Sequence, residues 1–347
     1  MNISQLLQFA AQQNASDLHI SAGEPPMIRV HGSMKKVKVP PLSPEETHEM
    51  IYDIMNDAQR KHFEEFNEID FSLQIGDVAR FRVNVFKQIR GLGAVFRQIP
   101  TKIITLDELG LPPILKQIAS KEKGLVLVTG PTGSGKSTTL AAMVDFINST
   151  REGHIITIED PVEFVHNSKK CLINQREIGA HTHSFANALR AALREDPDYI
   201  LVGEMRDLET IQLALTAAET GHLVLGTLHT SSAPKTVDRV IDVFPPAQQA
   251  QVRTMLAESL QAVITQTLCK KISGGRIAAL EILIATPAVK NLIRENKIHQ
   301  IKSVMQTSQS VGMQTLEMHL LELVEKGYIS RETAIQKSGD NKLFKDL

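Results

Sequence analysis

The spacing of apolar residues changes character partway along the chain. Residues 3–10 carry apolar side chains at helical intervals, whereas 79–85 alternates between polar and apolar residues, as a half-buried strand does. The whole stretch 69–99 has β character. These patterns predict a small α+β domain over residues 1–98, and the proline-containing stretch 99–113 is typical of a linker.

From residue 114 onward, short apolar segments alternate with longer segments of helical spacing. This alternation predicts an α/β core over 114–285, with a mostly parallel sheet covered by helices on both faces. The predicted strands are 125–129, 155–158, 200–203, 223–228 and 276–284. The predicted helices of the core include 184–196, 208–220, 234–243 and 247–269. The remainder, 286–347, has helical spacing and is predicted to be a helical C-terminal region.

Composition narrows the classes of protein that the chain can belong to. A length of 347 residues suits about two domains, and 42% hydrophobic with 22% charged residues is ordinary for a globular protein. The net charge of −1 gives no overall attraction to nucleic acid or to an anionic membrane. Cys171 and Cys269 are far apart and outside metal-ligand spacing, which favours a reducing compartment.

The sequence contains no apolar run of the roughly 18 residues that a membrane span needs. Its N-terminus lacks the basic region and cleavage site of a secretion signal. We therefore expect a cytoplasmic protein that meets a membrane only through partners.

The strongest chemical signal is a phosphate-binding loop between a predicted strand and a predicted helix. The pattern G-x-x-x-x-G-K-[ST] is matched by Gly130, Pro131, Thr132, Gly133, Ser134, Gly135, Lys136, Ser137 and Thr138. Glycines let backbone N–H groups surround phosphate oxygens, and the helix N-terminus adds positive potential. We expect Lys136 to reach the β- and γ-phosphates of ATP and the Ser137 hydroxyl to ligate Mg²⁺.

Three carboxylates follow the strand predicted at 155–158, namely Glu159, Asp160 and Glu163. Ligands of an open parallel sheet bind beyond the carboxyl ends of its strands. The acids would therefore lie near the phosphates if this strand neighbours the one that precedes Gly130. One of these carboxylates can orient or deprotonate water, and another can hold Mg²⁺ directly or through water. The alternative is that they are solvated loop acids.

Two further strand ends carry candidate residues. The apolar run 199–202 ends at Gly203-Glu204, where a Walker B strand usually carries an aspartate at the first position. Glu204 is the nearest acid and either supports Mg²⁺ or pairs with Arg206. His229 follows the strand 223–228 and can donate a hydrogen bond to the γ-phosphate, although a lone histidine is more often structural.

Arginines are needed to neutralise the charge that grows on a transferred phosphoryl group, and another domain or subunit often supplies them. Arg80, Arg82 and Arg97 lie on predicted strands of the N-terminal domain. They are candidates for this role, and the alternative is a solvated sheet face that happens to carry arginines.

Together, these motifs resemble those of bacterial secretion ATPases over nearly the whole chain. The segments 130–138, 158–163, 201–207 and 227–230 are similar to the family's Walker A, Asp box, Walker B and His box, and 15–20 resembles the opening of its N-terminal domain. That family includes the motors of type II secretion and of type IV pili.

Within that family, residues 288–295 are similar to the motif A-I-R-N-L-I-R-E of type IV pilus retraction ATPases. Val289 and Lys290 depart from it, and Lys290 cannot copy a bidentate arginine contact. Pilus assembly ATPases are longer and usually carry a tetracysteine metal element, which two cysteines cannot build. A pilus assembly or type II secretion ATPase remains the alternative.

The resemblance implies a PAS-like N-terminal domain, a RecA-like P-loop NTPase core and a homo-hexameric ring that hydrolyses ATP with Mg²⁺. It implies that Glu163 is the catalytic carboxylate, Glu204 the Walker B acid and His229 the γ-phosphate sensor. Arg80, Arg82 and Arg97 correspond to arginines that approach the nucleotide.

The implied partner is the inner-membrane platform protein at the cytoplasmic base of the pilus, and a second retraction ATPase is left open. A nucleic-acid translocase is disfavoured because the chain has no Trp for base stacking and is nearly neutral.

Overall fold

The computed structural model describes residues 2–30, 33–76, 79–100 and 102–339. The chain divides into two compact units. The first comprises residues 1–102 together with 163–165, and the second comprises 103–162 together with 166–347.

Within the described residues of the first unit, three helices pack on an antiparallel sheet with strand order β3-β2-β1-β6-β5-β4. The strands are β1 Asp17–Ser21, β2 Met27–Val30, β3 Ser33–Lys36, β4 Glu68–Ile75, β5 Ala79–Gln88 and β6 Gly91–Ile99. The helices are α1 Ile3–Gln12, α2 Pro44–Tyr52 and α3 Asp57–Phe66. The core includes Leu18, Phe81 and Phe96. The alternation at 79–85 therefore separates a buried face from a polar one, as predicted.

The second unit is built on a seven-stranded sheet with the order β13-β12-β7-β11-β10-β8-β9. Its strands are β7 Gly124–Thr129, β8 Gly153–Glu159, β9 Cys171–Glu177, β10 Tyr199–Val202, β11 Leu223–Leu228, β12 Leu260–Lys270 and β13 Arg276–Ile284. All neighbouring pairs are parallel except β12 with β13. The predicted mostly parallel sheet is thus confirmed, and strands β7 to β12 end at one shared edge.

Helices cover this sheet. They are α4 Ile114–Ala119, α5 Lys136–Thr150, α6 Phe185–Ala192, α7 Leu208–Glu219, α8 Ala233–Asp242, α9 Pro246–Ser259, α10 Pro287–Arg294, α11 Ile301–Thr307, α12 Leu316–Glu325 and α13 Arg331–Ser338. Short 3-10 turns at 298–300 and 309–311 connect the last of them. The C-terminal region is helical as predicted over its described part, whereas 340–347 lies outside the described residues. In the described chain, we find no helix that is both apolar and long enough to span a bilayer.

One prediction about the sheet is wrong. The helix predicted over 247–269 ends at Ser259, and the remaining residues form the buried strand β12. The β-branched run Val263-Ile264-Thr265 suits a strand that is covered on both sides. The condition under which the acids after β8 would lie near the phosphates is not met, because β11 and β10 lie between β8 and β7. At about 4.8 Å per strand, the acids after β8 start roughly 14 Å along the edge from the phosphate-binding loop.

Candidate active site

The phosphate-binding loop joins the end of the buried strand β7 to the start of α5. Gly130 has φ +142°, and a Cβ there would overlap the backbone oxygen of Gln266. Gly133 and Gly135 have φ values of +78° and +87°, which L side chains rarely adopt. The glycines of the motif are therefore required by backbone conformation and, at Gly130, by close packing against β12.

Lys136 is the first residue of α5 and its ammonium group folds over the loop. Nζ donates to the carbonyl oxygens of Gly130 at 2.7 Å and of Pro131 at 3.1 Å. Nζ also lies 3.4 Å from Nδ1 of His229. The structure thus brings together two predicted site residues that are 93 positions apart in the chain.

His229 connects the loop to the end of β10. Its Nε2 lies 2.9 Å from Oε1 of Glu204, which also pairs with Arg206. Burial acts to raise the pKa of Glu204, but the hydrogen bonds and charges of Arg206 and His229 hold it below its ordinary value. Glu204 is therefore an anion that faces the loop lysine across one imidazole. The predicted pairing with Arg206 exists, and it coexists with the contact to His229.

The structure explains why Gly203 occupies the usual aspartate position. A Cβ at Gly203 would lie 3.0 Å from the backbone oxygen of Ile158 and 3.1 Å from Cα of Glu159. The amide of Gly203 donates to the oxygen of Ile158 at 2.7 Å. The ends of β10 and β8 would have to move apart by a few tenths of an ångström to admit a side chain at 203, and the acid lies one residue later, at Glu204.

The acids after β8 are arranged differently from one another. Glu159 is half-buried, and its Oε2 accepts from Thr157 Oγ1 at 2.7 Å and from Gln175 Nε2 at 3.3 Å. Asp160 and Glu163 are exposed. Glu163 belongs to the segment 163–165 that is grouped with the first unit. Glu159 is thus fixed at the end of β8 by two side-chain hydrogen bonds.

The oxygen donors at this edge fit Mg²⁺, which prefers oxygen ligands and keeps several of its waters. Ser137 lies half-buried in the first turn of α5, and Glu159, Asp160 and Glu204 follow strand ends on the same edge of the sheet. Among the described residues, no group of three or more His, Cys, Asp or Glu side chains is placed to hold a metal ion. The Ser137 hydroxyl would hold a bound Mg²⁺ together with nucleotide phosphates and water, and Glu159, Asp160 and Glu204 are candidates to act through water. The ion would neutralise phosphate charge.

The candidate arginines lie on one face of the sheet in the first unit. Arg82 and Arg97 are directly opposite each other on β5 and β6, and Arg80 is two residues from Arg82. Arg97 Nε donates to Oδ1 of the buried Asp17 at 2.8 Å, whereas Arg82 lies 4.0 Å from Asp70. The face is basic and internally paired.

Sequence reasoning missed Gln266, which supports the phosphate-binding loop from β12. Its Nε2 donates to the backbone oxygen of Ser134 at 2.6 Å, and its Oε1 accepts from Thr139 Oγ1 at 2.8 Å. The side chain is only 2% exposed. A strand assignment for 260–270 would have suggested it, because an inward-facing glutamine in a buried strand needs partners.

A series of threonine hydroxyls was also missed. Oγ1 of Thr129, the last residue of β7, lies 2.7 Å from that of Thr265 and accepts from Thr236 at 3.4 Å. Thr236 in turn lies 2.6 Å from Thr230, next to His229. These contacts join the end of β7 to the loop that carries the histidine. Threonines at separate strand ends give no signal of such contacts until the sheet order is known.

Comparison with known proteins agrees with this geometry. The profile of the family described as "Type II/IV secretion system protein" matches residues 1–274. The Pseudomonas aeruginosa type IV pilus retraction ATPase PilT is 65% identical over 338 residues, covering 97% of this chain and 98% of its own. A twitching motility protein of Neisseria gonorrhoeae is 59% identical over 338 residues, covering 97% and 90%. The crystal structure of the pilus retraction motor PilT with bound ADP matches with a TM-score of 0.94 and 49% identity, over 100% of both chains.

The fold and the loop define a P-loop protein of the α/β class. The chain belongs to the family of type II/IV secretion system proteins. The resemblance to secretion ATPases, and within them to pilus retraction ATPases, is therefore confirmed. The predicted α/β fold class is confirmed as well.

Proposed function

We propose that this protein is an ATP-hydrolysing motor that powers retraction of type IV pili and hence twitching motility. The observation that carries the proposal is the contact series from Lys136 through His229 to Glu204, at the carboxyl edge of a parallel sheet in a chain of this family. Its relatives are a pilus retraction ATPase and a twitching motility protein, and the matching crystal structure of a retraction motor holds ADP.

In the proposed reaction, the phosphate-binding loop holds the ATP phosphates and Lys136 neutralises their charge. His229, which contacts Glu204, also binds the γ-phosphate, so loss of that phosphate changes the contacts of the Walker B acid. Glu163 accepts the proton of the attacking water, which is the role of a general base. The Ser137 hydroxyl would hold Mg²⁺, which would supply further charge neutralisation when bound.

The mechanical part of the proposal follows from the division into two units. We assign the first unit as a PAS-like domain, bounded near residue 98, and the second as a RecA-like core over 114–285 with a helical extension. Arg80, Arg82 and Arg97 act on the nucleotide from the first unit. A homo-hexamer of such chains would turn hydrolysis into relative movement of the units.

We place this ring at the cytoplasmic face of the inner membrane, against the platform protein of the pilus base. A second retraction ATPase is a further candidate partner. Pilus assembly or type II secretion is the alternative function, because the chemistry of the site is the same for both directions of work.

The first test is Glu163→Gln in the purified full-length protein. We expect ATP binding to be kept and turnover to fall by about 100-fold or more, because the amide cannot accept the proton of water. Glu152→Gln is the matched control, since Glu152 is an exposed acid at the start of β8, at the opposite edge of the sheet. Unchanged turnover of Glu163→Gln would remove Glu163 from the base role.

The direction of work is tested in cells. Deletion of the gene should leave surface pili that do not retract, and Glu163→Gln should fail to restore twitching while Glu152→Gln restores it. Loss of surface pili on deletion would instead favour the assembly motor.

A further inference from the structure

Glu163 lies on a three-residue segment, 163–165, whose two ends are fixed by side chains of one strand. On the N-terminal side, the amide of Val162 donates to Oε2 of Glu177 at 3.0 Å. On the C-terminal side, the amide of His166 donates to Oε1 of Gln175 at 2.8 Å. Both acceptors come from β9 and alternate along it, so they point to the same side of the strand.

The anchor at Glu177 is buried. Glu177 is 4% exposed and Val162 is 3% exposed, and the hydrogen bond between them is itself buried. Loss of a partner in such a position leaves a buried polar group unsatisfied, which costs about 1–3 kcal/mol. The chain therefore leaves β8 through a fixed point immediately before Glu163.

The anchor at Gln175 has a second contact that links it to the catalytic edge. While its oxygen accepts from His166, its Nε2 donates to Oε2 of Glu159 at 3.3 Å. The same oxygen of Glu159 accepts from Thr157 at 2.7 Å. One amide side chain thus fixes both the end of β8 and the point where the segment returns.

Beyond His166, the chain is held against the helix that follows the phosphate-binding loop. Asn148 of α5 is fully buried, and its side chain accepts from the amide of Lys169 at 2.9 Å and donates to the oxygen of Asn167 at 2.8 Å. Lys169 also pairs with Asp145 of α5 at 2.7 Å. The chain that follows the Glu163 segment is therefore held on α5, the same helix that begins with Lys136.

A general base must be within hydrogen-bond reach of the proton that it removes, so its position matters as much as its pKa. Glu163 is exposed, and β8, the strand that leads to it, lies three strand spacings or roughly 14 Å from β7. An exposed side chain on a loop depends on its backbone for placement. A misplacement of about 1 Å can lower a catalytic rate by about 100-fold.

We propose that Gln175 and Glu177 are positioning residues for Glu163, which act by fixing the two ends of the segment 163–165. The proposal rests on the proposed function, because it takes Glu163 as the base. Neither residue is required to touch the nucleotide. Their removal should therefore affect the chemical step and leave nucleotide binding alone.

The first experiment measures kcat, KM and nucleotide affinity for single variants of the full-length protein. Gln175→Ala and Glu177→Ala should each lower kcat by about 10- to 100-fold with KM for ATP and affinity for ADP unchanged. Glu177→Gln keeps an oxygen that can accept from Val162 and should restore most of kcat. Leu172→Ala is the matched control, because Leu172 is on the other side of β9 and is 57% exposed.

A double-mutant cycle separates positioning from a general structural role. If Gln175 acts through Glu163, then Gln175→Ala should cost little further kcat in the Glu163→Gln background, measured under single-turnover conditions. The same relative loss in both backgrounds would overturn the proposal, while the ATPase function would stand. A wild-type kcat for Gln175→Ala would also overturn the proposal, as would a Glu177→Gln variant as slow as Glu177→Ala.

The two proposals fail separately. If Glu163→Gln keeps wild-type turnover, the base assignment is wrong and the positioning proposal falls with it. If Glu163→Gln is slow and the β9 variants are not, only the positioning proposal is wrong.

Discussion

Replacing Gln266 tests whether the phosphate-binding loop is held from β12. The side chain is buried between the loop and α5, where it donates to the oxygen of Ser134 at 2.6 Å and accepts from Thr139 at 2.8 Å. Gln266→Leu has nearly the same size but provides neither group. The variant leaves one backbone carbonyl and one hydroxyl without their partner in a dry environment.

The cost can be worked out from those two contacts. A buried polar group that loses its partner costs about 1–3 kcal/mol, so two groups cost about 2–6 kcal/mol if the loop stays in place. The loop can instead move away from β12, and the cost then appears in nucleotide binding. If the free energy of ATP binding becomes less favourable by about 3 kcal/mol, Kd for ATP rises by roughly 100-fold, since each 1.4 kcal/mol is about tenfold.

The assay therefore needs both quantities. Urea denaturation gives the free energy of unfolding, and equilibrium titration with a fluorescent ATP analogue gives Kd. Amide hydrogen exchange of 130–139 then shows whether the loop has become locally unstable. We expect the combined loss in unfolding and binding free energy to be about 2–6 kcal/mol.

Gln261→Leu is the matched control, because Gln261 is the same residue type on the same strand but donates to Lys123 in an exposed position, at 3.1 Å. It should change both quantities by less than about 0.5 kcal/mol. The reasoning is refuted if Gln266→Leu matches this control in stability, in Kd and in exchange at 130–139.

Two other predictions concern single positions in the second unit. Gly203→Asp restores the usual Walker B residue but places a Cβ 3.0 Å from the backbone oxygen of Ile158. We therefore expect lower ATP turnover, and a free energy of unfolding in urea that is lower by about 1–3 kcal/mol. Faster turnover than in the wild type would contradict this. Burial lowers the pKa of His166 from 6.5 to about 4, so the unfolded chain takes up a proton first and native stability should fall as pH drops from 6.5 to 4. The loss of unfolding free energy is on the order of 3 kcal/mol, at about 1.4 kcal/mol per unit of pKa. Urea denaturation at several pH values measures it, and the unfolding free energy of His166→Asn should depend less on pH over that range. Equal pH dependence of the variant and the wild type would argue against a neutral imidazole at His166.

The sequence was sufficient for features that are encoded locally. The phosphate-binding loop was recognisable because its glycines, lysine and serine lie within nine residues, between an apolar strand and a helix. Strand β11 was predicted with its observed bounds because a short, fully buried apolar run is bounded by Gly221 on one side and polar residues on the other. Local chemistry of this kind survives in any tertiary context.

Features that depend on tertiary pairing were not predictable. The helix predicted over 247–269 was wrong because Val252, Leu256 and Leu260 continue a helical spacing, and only pairing with β7 and β13 makes the later residues a strand. Strand β9 was missed because its polar residues, including Gln175, resemble a loop. The position of β8 beyond β11 and β10 likewise follows from sheet order, which no local pattern encodes.

The folded-over position of Lys136 has a consequence for nucleotide exchange. Its ammonium group is already occupied by the carbonyl oxygens of Gly130 and Pro131, which act as an internal competitor for phosphate oxygens. The free energy of nucleotide binding then includes the difference between the contacts of Lys136 with phosphate oxygens and its contacts with the two carbonyl oxygens. A phosphate that leaves does not expose an unsolvated charge, because the loop's own oxygens receive it.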